Sequence, residues 1–321
     1  MNKPGFLKKK PQFQSNIMGI LSALIILFII LSLSSRYFLT PSNLLNVLQQ
    51  VSINFTIAIG MSFIILLGGI DLSVGSNTAV CGLILAILMK NAGMGVGLSI
   101  AVAVLCACII GLVNGLFITI FNLPPFIATL GMMSIARGAA YTITSGQPIY
   151  NFSHSFATIT GRIAGVPLVT GLIMIFLFAI AAYILKYTRY GRYLYAIGGN
   201  ENCAHLSGIN VRLVKCIAYV ISGFCCGVAA VLLTSRLDSA VPTNAEGSEM
   251  DAIAAVVIGG ISMSGGEGKL SGTVIGVLII GLIANGLNLL NVPQGAQRMV
   301  KGIIIVVAVI FDVLRRKSVK K

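Results

Sequence analysis

"YAIGGNENCAHLSGINVRLVK" occupies Tyr195–Lys215. It is a polar, glycine-spaced stretch with basic flanks, in a chain whose charged residues amount to 9% and whose mean hydropathy is +0.98. A soluble domain carries about 25% charged residues. The rest of this chain therefore cannot be solvated by water, and its solvent must be lipid. The stretch itself must stand outside that lipid, which divides the apolar runs into two groups.

Working outward, runs such as Ile17–Leu33 and Ile303–Phe311 fit the roughly 20 apolar residues of a bilayer-spanning helix. Gly, Pro and charge boundaries predict helices near 16–35, 44–67, 72–89, 96–120 and 125–144, then 167–186, 214–235, 250–262, 271–290 and 298–314. The expected fold is an all-α, polytopic bundle of about ten transmembrane helices in a single domain over 1–321. A basic N-terminus (1–15), the central loop (187–213) and a basic tail (315–321) lie outside the bundle. The eighth helix is short and reads as partial or broken. The first apolar run is too long for a signal peptide and lacks a small-residue cleavage site, so it is expected to be retained.

The net charge of +14 would suit nucleic acid if it were spread over the chain. It is instead concentrated at the two termini and around the central loop. Placing both termini in the cytoplasm puts fifteen Lys and Arg inside and five outside, the asymmetry of the positive-inside rule. No nucleic-acid partner is expected; membrane lipid is. The seven cysteines are scattered, mostly in apolar runs, and form neither C-x-x-C nor a zinc pattern. No metal is expected.

"IIGLVNGLFITIFNLP" (Ile109–Pro124) resembles "IIGLIANGLNLLNVP" (Ile279–Pro293). These fall in the fourth and ninth spans, which cross in opposite directions, as an inverted repeat requires. GxxxG pairs at Gly111/Gly115, Gly223/Gly227 and Gly272/Gly276 predict close helix approach.

"SGGEGKLSG" (Ser264–Gly272) fails as a phosphate loop, because Met263 and Leu270 stand where the pattern needs Gly and Ser or Thr. No catalytic motif stands out, so an enzyme is not expected. In "GGIDLSVGS" (Gly68–Ser76), Asp71 either caps the following helix or serves a gate or solute path. Asn54, Asn77, Asn114, Asn285 and Asn288 are candidates for the same path, since an amide matches a polyhydroxylated solute; the other reading is bonding between helices. Two external segments, Ser145–Gly165 and Arg236–Asp251, offer Arg162, Asp238, Glu246 and Glu249 for docking a soluble partner, or are simply solvated loops.

Within the central loop, "ENCAHLSGINV" reads as a short helix capped by Asn200 after the pair Gly198–Gly199 and broken at Gly208, with Cys203, Ala204 and Leu206 on its apolar face. That loop, "GGIDLSVGS", "FIATLGMMSIARG" (Phe126–Gly138) and "DAIAAVVIGGISMSGGEGKLSGTVIG" (Asp251–Gly276) together resemble the permease subunit of bacterial ribose-type ABC importers over nearly the whole chain. The resemblance implies ten membrane helices, a homodimer with a second permease copy, a cytoplasmic ATPase subunit with two nucleotide-binding domains, and an external sugar-binding protein. ATP and Mg would then bind the ATPase, with no cofactor on this chain. The family's ATPase-coupling motif falls on Gly199, Asn200, Glu201, Ala204, Ser207, Gly208 and Ile209; Cys203 replaces an Ala common in the family. Ribose is the expected cargo; galactose, xylose, allose, the furanosyl signalling molecule and branched-chain amino acids remain alternatives. An ATP-independent secondary transporter would need buried acids for ion coupling, for which Asp71 is the candidate.

Overall fold

A computed structural model describes residues 12–161 and 168–319. Arg162 lies outside the described residues. Helices occupy all ten expected stretches: α1 (Gln12–Ser34), α2 (Pro41–Leu66), α3 (Val74–Lys90), α4 (Val96–Ile120) and α5 (Pro125–Thr144) in the first group. After β1 (Ile149–Tyr150) and the single turn α6 (His154–Ala157) come α7 (Leu168–Tyr187), α8 (Arg189–Gly199), α9 (Glu201–Leu206) and α10 (Val211–Leu237). β2 (Ser239–Ala240), α11 (Ser248–Ile258), α12 (Leu270–Leu289) and α13 (Gln294–Val319) complete the chain. Six of these, α2, α4, α5, α7, α10 and α12, are long and apolar enough to cross a membrane.

The centre is built on α2 and α10. α2 is buried almost all round from Val51 to Leu66, and α10 packs most extensively on α4 and α2. By contrast α4, α5 and α7 turn large apolar side chains outward, among them Leu105, Ile135 and Phe176, as lipid-facing helices do. The glycine pairs meet as expected. Gly115 leaves a Cβ only 2.9 Å from Cys216 Cα, and Gly227 the same from Val104 Cα, so α4 and α10 touch backbone to backbone. Gly272 and Gly276 bring α12 equally close to Gly259 and Ala255 of the α11 region.

Of the helices in the ten expected stretches, α3 and α11 are the short ones, and they start next to each other. The chain turns at Gly68 (φ 77°) and runs back inward, so that α3 begins level with Ser222 near the middle of α10. α11 has only eleven residues, matching the partial eighth helix read from the sequence. Gly75 in the first turn of α3 has no room for a side chain against Ala245 O and the carboxylate of Glu249, just ahead of and within the first turn of α11.

The two segments expected to be external are stitched together by a ribbon that sequence reading did not anticipate. β1 and β2 pair antiparallel, Ile149 with Ala240 and Tyr150 with Ser239. Asp238, left-handed at the end of α10 (φ 47°), accepts the Phe152 N–H at 3.0 Å. Phe156 on α6 is fully buried, and Ser235 donates to its carbonyl at 2.9 Å. Gln49 of α2 donates to Thr160 O at 2.9 Å, fastening the same segment to the core.

Candidate functional site

The central loop folds as two capped helices standing at one end of the bundle. Thr188 Oγ1 accepts the Gly191 N–H at 3.1 Å and starts α8, whose inner face is Leu194 and Ile197. Asn200 Oδ1 accepts the Cys203 N–H at 2.9 Å and starts α9, the cap expected from the sequence. Gly208 (φ 80°) ends it, with Ile209 N–H returning to Ala204 O at 3.2 Å. The expected apolar face needs correcting. Only Ala204 faces inward; Cys203 and Leu206 are exposed, Leu206 at 86%. A six-residue helix resting on one alanine turns its remaining side chains outward, so α9 is a ridge. Glu201 pairs with Lys215 at 2.7 Å, tying that ridge to the first turns of α10.

Behind the ridge, three chain segments meet at backbone distance. A Cβ on Gly198 would collide with Leu66 O at the end of α2 and with Gly266 N in the turn between α11 and α12. Gly266 N–H donates to Leu66 O at 2.9 Å, and Gly265 (φ 78°) admits no Cβ against Gly68 N and Gly198 Cα. Tyr195 adds its hydroxyl to Gly268 O at 3.0 Å, and burial pushes that phenol upward from its usual range. From α13, Asp312 accepts the Ser262 hydroxyl at 3.1 Å. The "SGGEG" turn that fails as a phosphate loop is thus one side of this joint. Sequence reading missed the pairing, because Gly198 and Gly266 are far apart in the chain and glycine carries no chemical signal of its own.

Asp71 is buried and fully engaged. Its Oδ1 accepts the Ser73 N–H at 2.9 Å and the Ser73 hydroxyl at 2.6 Å; Oδ2 accepts the Ser222 hydroxyl at 3.1 Å. Asn114 Nδ2 donates to Ser73 Oγ at 2.9 Å, so a polar knot joins the start of α3 to α4 and α10. The capping expected of Asp71 is not what forms: the N-cap of α3 is Ser73, and Asp71 instead holds Ser73 itself, just ahead of the helix. The other amide candidates do not converge on the knot. Asn77 donates to Ala107 O at 3.2 Å, binding α3 to α4. Asn285 exchanges two hydrogen bonds with Asn43, at 2.8 and 3.1 Å, binding α12 to α2. Asn288 accepts from Gln297 at 2.9 Å, and Asn54 stands half-buried on α2 apart from these bonds.

At the ribbon end, Glu246 and Asp251 have ion-pair partners within the chain, whereas the Oε2 of Glu249 is buried with no hydrogen-bond partner among the described residues. Glu246 pairs with Arg298 at 3.2 Å and Asp251 with Lys301 at 2.7 Å, both cations on α13. Arg137 of α5 donates to the carbonyls of Pro242 and Asn244. Arg137 and Lys301, two charges inside predicted apolar spans, were the signal that these loops fold back onto helices. Beside the start of α11, Asn244, Glu246, Glu249, Arg298 and Lys301 border a cavity of about 660 Å³.

Apolar helices around a buried core, with a polar, capped segment raised at one end, define a multi-pass membrane protein. The sequence profile of the family described as "Branched-chain amino acid transport system / permease component" matches residues 43–309, and the chain belongs to that family. It is 45% identical to the ribose import permease protein RbsC of Haemophilus influenzae, over 90% of this chain and 91% of that one. It is 46% identical to RbsC of Bacillus subtilis (94% and 93%) and 40% identical to the D-allose transport system permease protein AlsC of Escherichia coli (91% and 90%). The membership expected from the motifs therefore holds. No solved structure matches the chain.

Proposed function

We propose that the chain is the membrane permease subunit of an ATP-driven importer that carries a monosaccharide, ribose first, into the cell by alternating access. The observation that carries this reading is the identity of 44–46% to ribose import permeases over nine tenths of the chain. α9 supports it as the surface on which a cytoplasmic ATPase subunit, holding ATP and Mg on two nucleotide-binding domains, would press. Asn200 and Gly208 fix the ridge, Ala204 seats it, and Gly198–Gly199 root it in α2 and the α11–α12 turn. The remaining partners are a second permease copy and an external sugar-binding protein that docks at the ribbon end.

Both termini then lie in the cytoplasm, with ten crossings, α3 and α11 being the short ones. An inverted repeat accounts for the shared form of α3–α5 and α11–α13. In each, a short helix precedes a long one that ends at a left-handed Asn, Asn122 (φ 52°) or Asn291 (φ 54°), two residues before a Pro. The relation to a D-allose permease keeps other monosaccharides as the second reading.

The test is a gentle pull-down of the tagged chain from native membranes, with and without Gly208→Glu. The substitution falls at an exposed glycine whose side-chain position is open; the left-handed backbone strains the turn after α9, outside the long apolar helices, so membrane insertion is expected to survive it. The expected result is an ATPase subunit that co-purifies with the native chain and is lost, with uptake, from the variant. A chain that purifies alone and moves solute without ATP would sink the reading and return attention to Asp71.

A further inference from the structure

We infer that the cavity at the start of α11 is a binding station for a neutral, polyhydroxylated solute on its way through the permease. The inference rests on the importer reading above and gives the cargo a place within this chain. Its volume of about 660 Å³ lies in the range of small-molecule sites, roughly 300–1,000 Å³. One wall is the loop through Glu246 and the first turn of α11 with Glu249; the other is the first turns of α13, with Gln294, Gln297, Arg298 and Lys301. Leu233 and Leu237 of α10 line it as well, giving an apolar surface against which the C–H face of a sugar ring can lie.

The charge balance selects the ligand class. Both cations of the lining are already paired, Arg298 with Glu246 and Lys301 with Asp251 behind it, while the buried Glu249 Oε2 has no hydrogen-bond partner among the described residues and stands as an open acceptor. An anionic solute would have to break one of these pairs and would face the Glu249 carboxylate, whereas a hydroxyl can donate to it. A polyol meets both needs at once, since each hydroxyl donates and accepts and can bridge a carboxylate to a cation. The two glutamines add amides of the same double character. The alternatives in the fold are poorer. The Asp71–Asn114 knot has spent the Asp71 oxygens and the Asn114 amide N–H within itself, leaving only Asn114 Oδ1 without a partner among the described residues, and the groove of about 450 Å³ bordered by Phe28, Leu44 and Leu278 is lined by apolar side chains.

Gly302 gives a clean way to test this, because it borders the cavity and a Cβ there meets nothing within 4 Å. Gly302→Leu therefore starts from a free Cβ position and adds bulk at the cavity wall, and Gln294→Ala removes one amide. The first measurement is saturation-transfer NMR on the chain in lipid nanodiscs, with D-ribose and L-leucine as separate probes. Ribose is expected to be saturated and leucine not, with the ribose signal lost in Gly302→Leu. In liposomes holding the complete importer, Gln294→Ala is expected to raise the apparent KM for ribose uptake roughly tenfold, as losing 1.4 kcal/mol does. ATPase stimulation by the loaded binding protein is expected to persist in both variants.

Leucine saturation in place of ribose would overturn the inference, as would wild-type uptake by Gly302→Leu. Loss of ATPase stimulation together with uptake would make the wall a docking surface instead. If the native complex imports nothing with ATP while ribose is still saturated at the cavity, the station stands and the importer reading falls.

Discussion

The two ends of this molecule differ in how their helices are joined to the neighbouring turns and loops. At the α8–α9 end, Gly198, Gly265 and Gly266 bring three segments together through main-chain atoms, with no side chain between them. At the ribbon end, Arg137, Arg298 and Lys301 reach across to loops through long, flexible side chains. A backbone contact has no rotamers and transmits displacement directly, because packed interfaces are stiff. A side-chain pair can break, solvate and re-form at little cost. The first arrangement suits a joint that passes force; the second suits a mouth that must open. Breaking each in turn should show the difference, first in stability and then in transport.

The largest effect is expected at the joint. Gly198→Ala sets a methyl group against Leu66 O and Gly266 N, both main-chain atoms that cannot step aside. Overpacking of this kind costs about 1–3 kcal/mol, and the α8–α9 unit should lift from its seat. The buried thiols of Cys81, Cys225 and Cys226 report unfolding by a thiol-reactive dye in a chain whose exposed Cys203 is replaced. A lower unfolding temperature, with ATPase hydrolysis no longer driving uptake, is expected. An unchanged temperature and normal uptake would remove the stiff joint from the comparison.

Next comes the Asp71 knot, which lies between the two ends. Asp71→Ala strands the Ser73 and Ser222 donors, and a buried donor without a partner costs about 1–3 kcal/mol. Asp71→Asn keeps an acceptor oxygen and should recover most of that loss. Uptake by the Asn variant within a few-fold of native is the expected result, because the carboxylate is read here as structural. Complete loss of uptake in a well-folded Asp71→Asn protein would instead mark Asp71 as a proton or ion carrier.

How much of this was legible beforehand depends on the range of each interaction. Asn200 and Gly208 were readable because a cap and a left-handed stop act within one turn of helix. The short eighth helix was readable from its length. Gly198 carried a local meaning as half of a glycine pair, but its contact with Gly266 is visible only in the fold. Asn114 and Asn285 look alike in sequence, yet one joins the polar knot and the other clasps Asn43 on α2. An amide can serve a solute or a neighbouring helix equally well, so the choice belongs to packing. Leu206 was misplaced because hydrophobicity alone puts leucine inside, whereas a helix this short resting on Ala204 has no second inner position.

A smaller effect tests the amide clasp. Asn285→Ala removes both hydrogen bonds to Asn43, and such bonds between membrane helices average about 0.6 kcal/mol. The expected outcome is a slight fall in unfolding temperature with uptake retained. A loss as large as that of Asp71→Ala would mean that α12 and α2 depend on this clasp more than on their apolar contact.

The smallest expected effect on stability belongs to the mouth. Glu246 and Arg298 are about half exposed, with side chains at 50% and 62%, and exposed pairs contribute about 0–1 kcal/mol. Lys301 and Asp251 are more buried, at 25% and 15%, so breaking their pair leaves a charge with less access to water. Arg298→Gln should therefore leave the unfolding temperature nearly unchanged, while Lys301→Gln lowers it measurably. Salt sharpens the distinction, because screening acts on the exposed pair and spares the buried one. Raising the ionic strength should bring the native protein closer to Arg298→Gln and leave its gap to Lys301→Gln intact. If both variants lose equal stability and respond equally to salt, the mouth is as rigid as the joint, and the contrast between the two ends disappears.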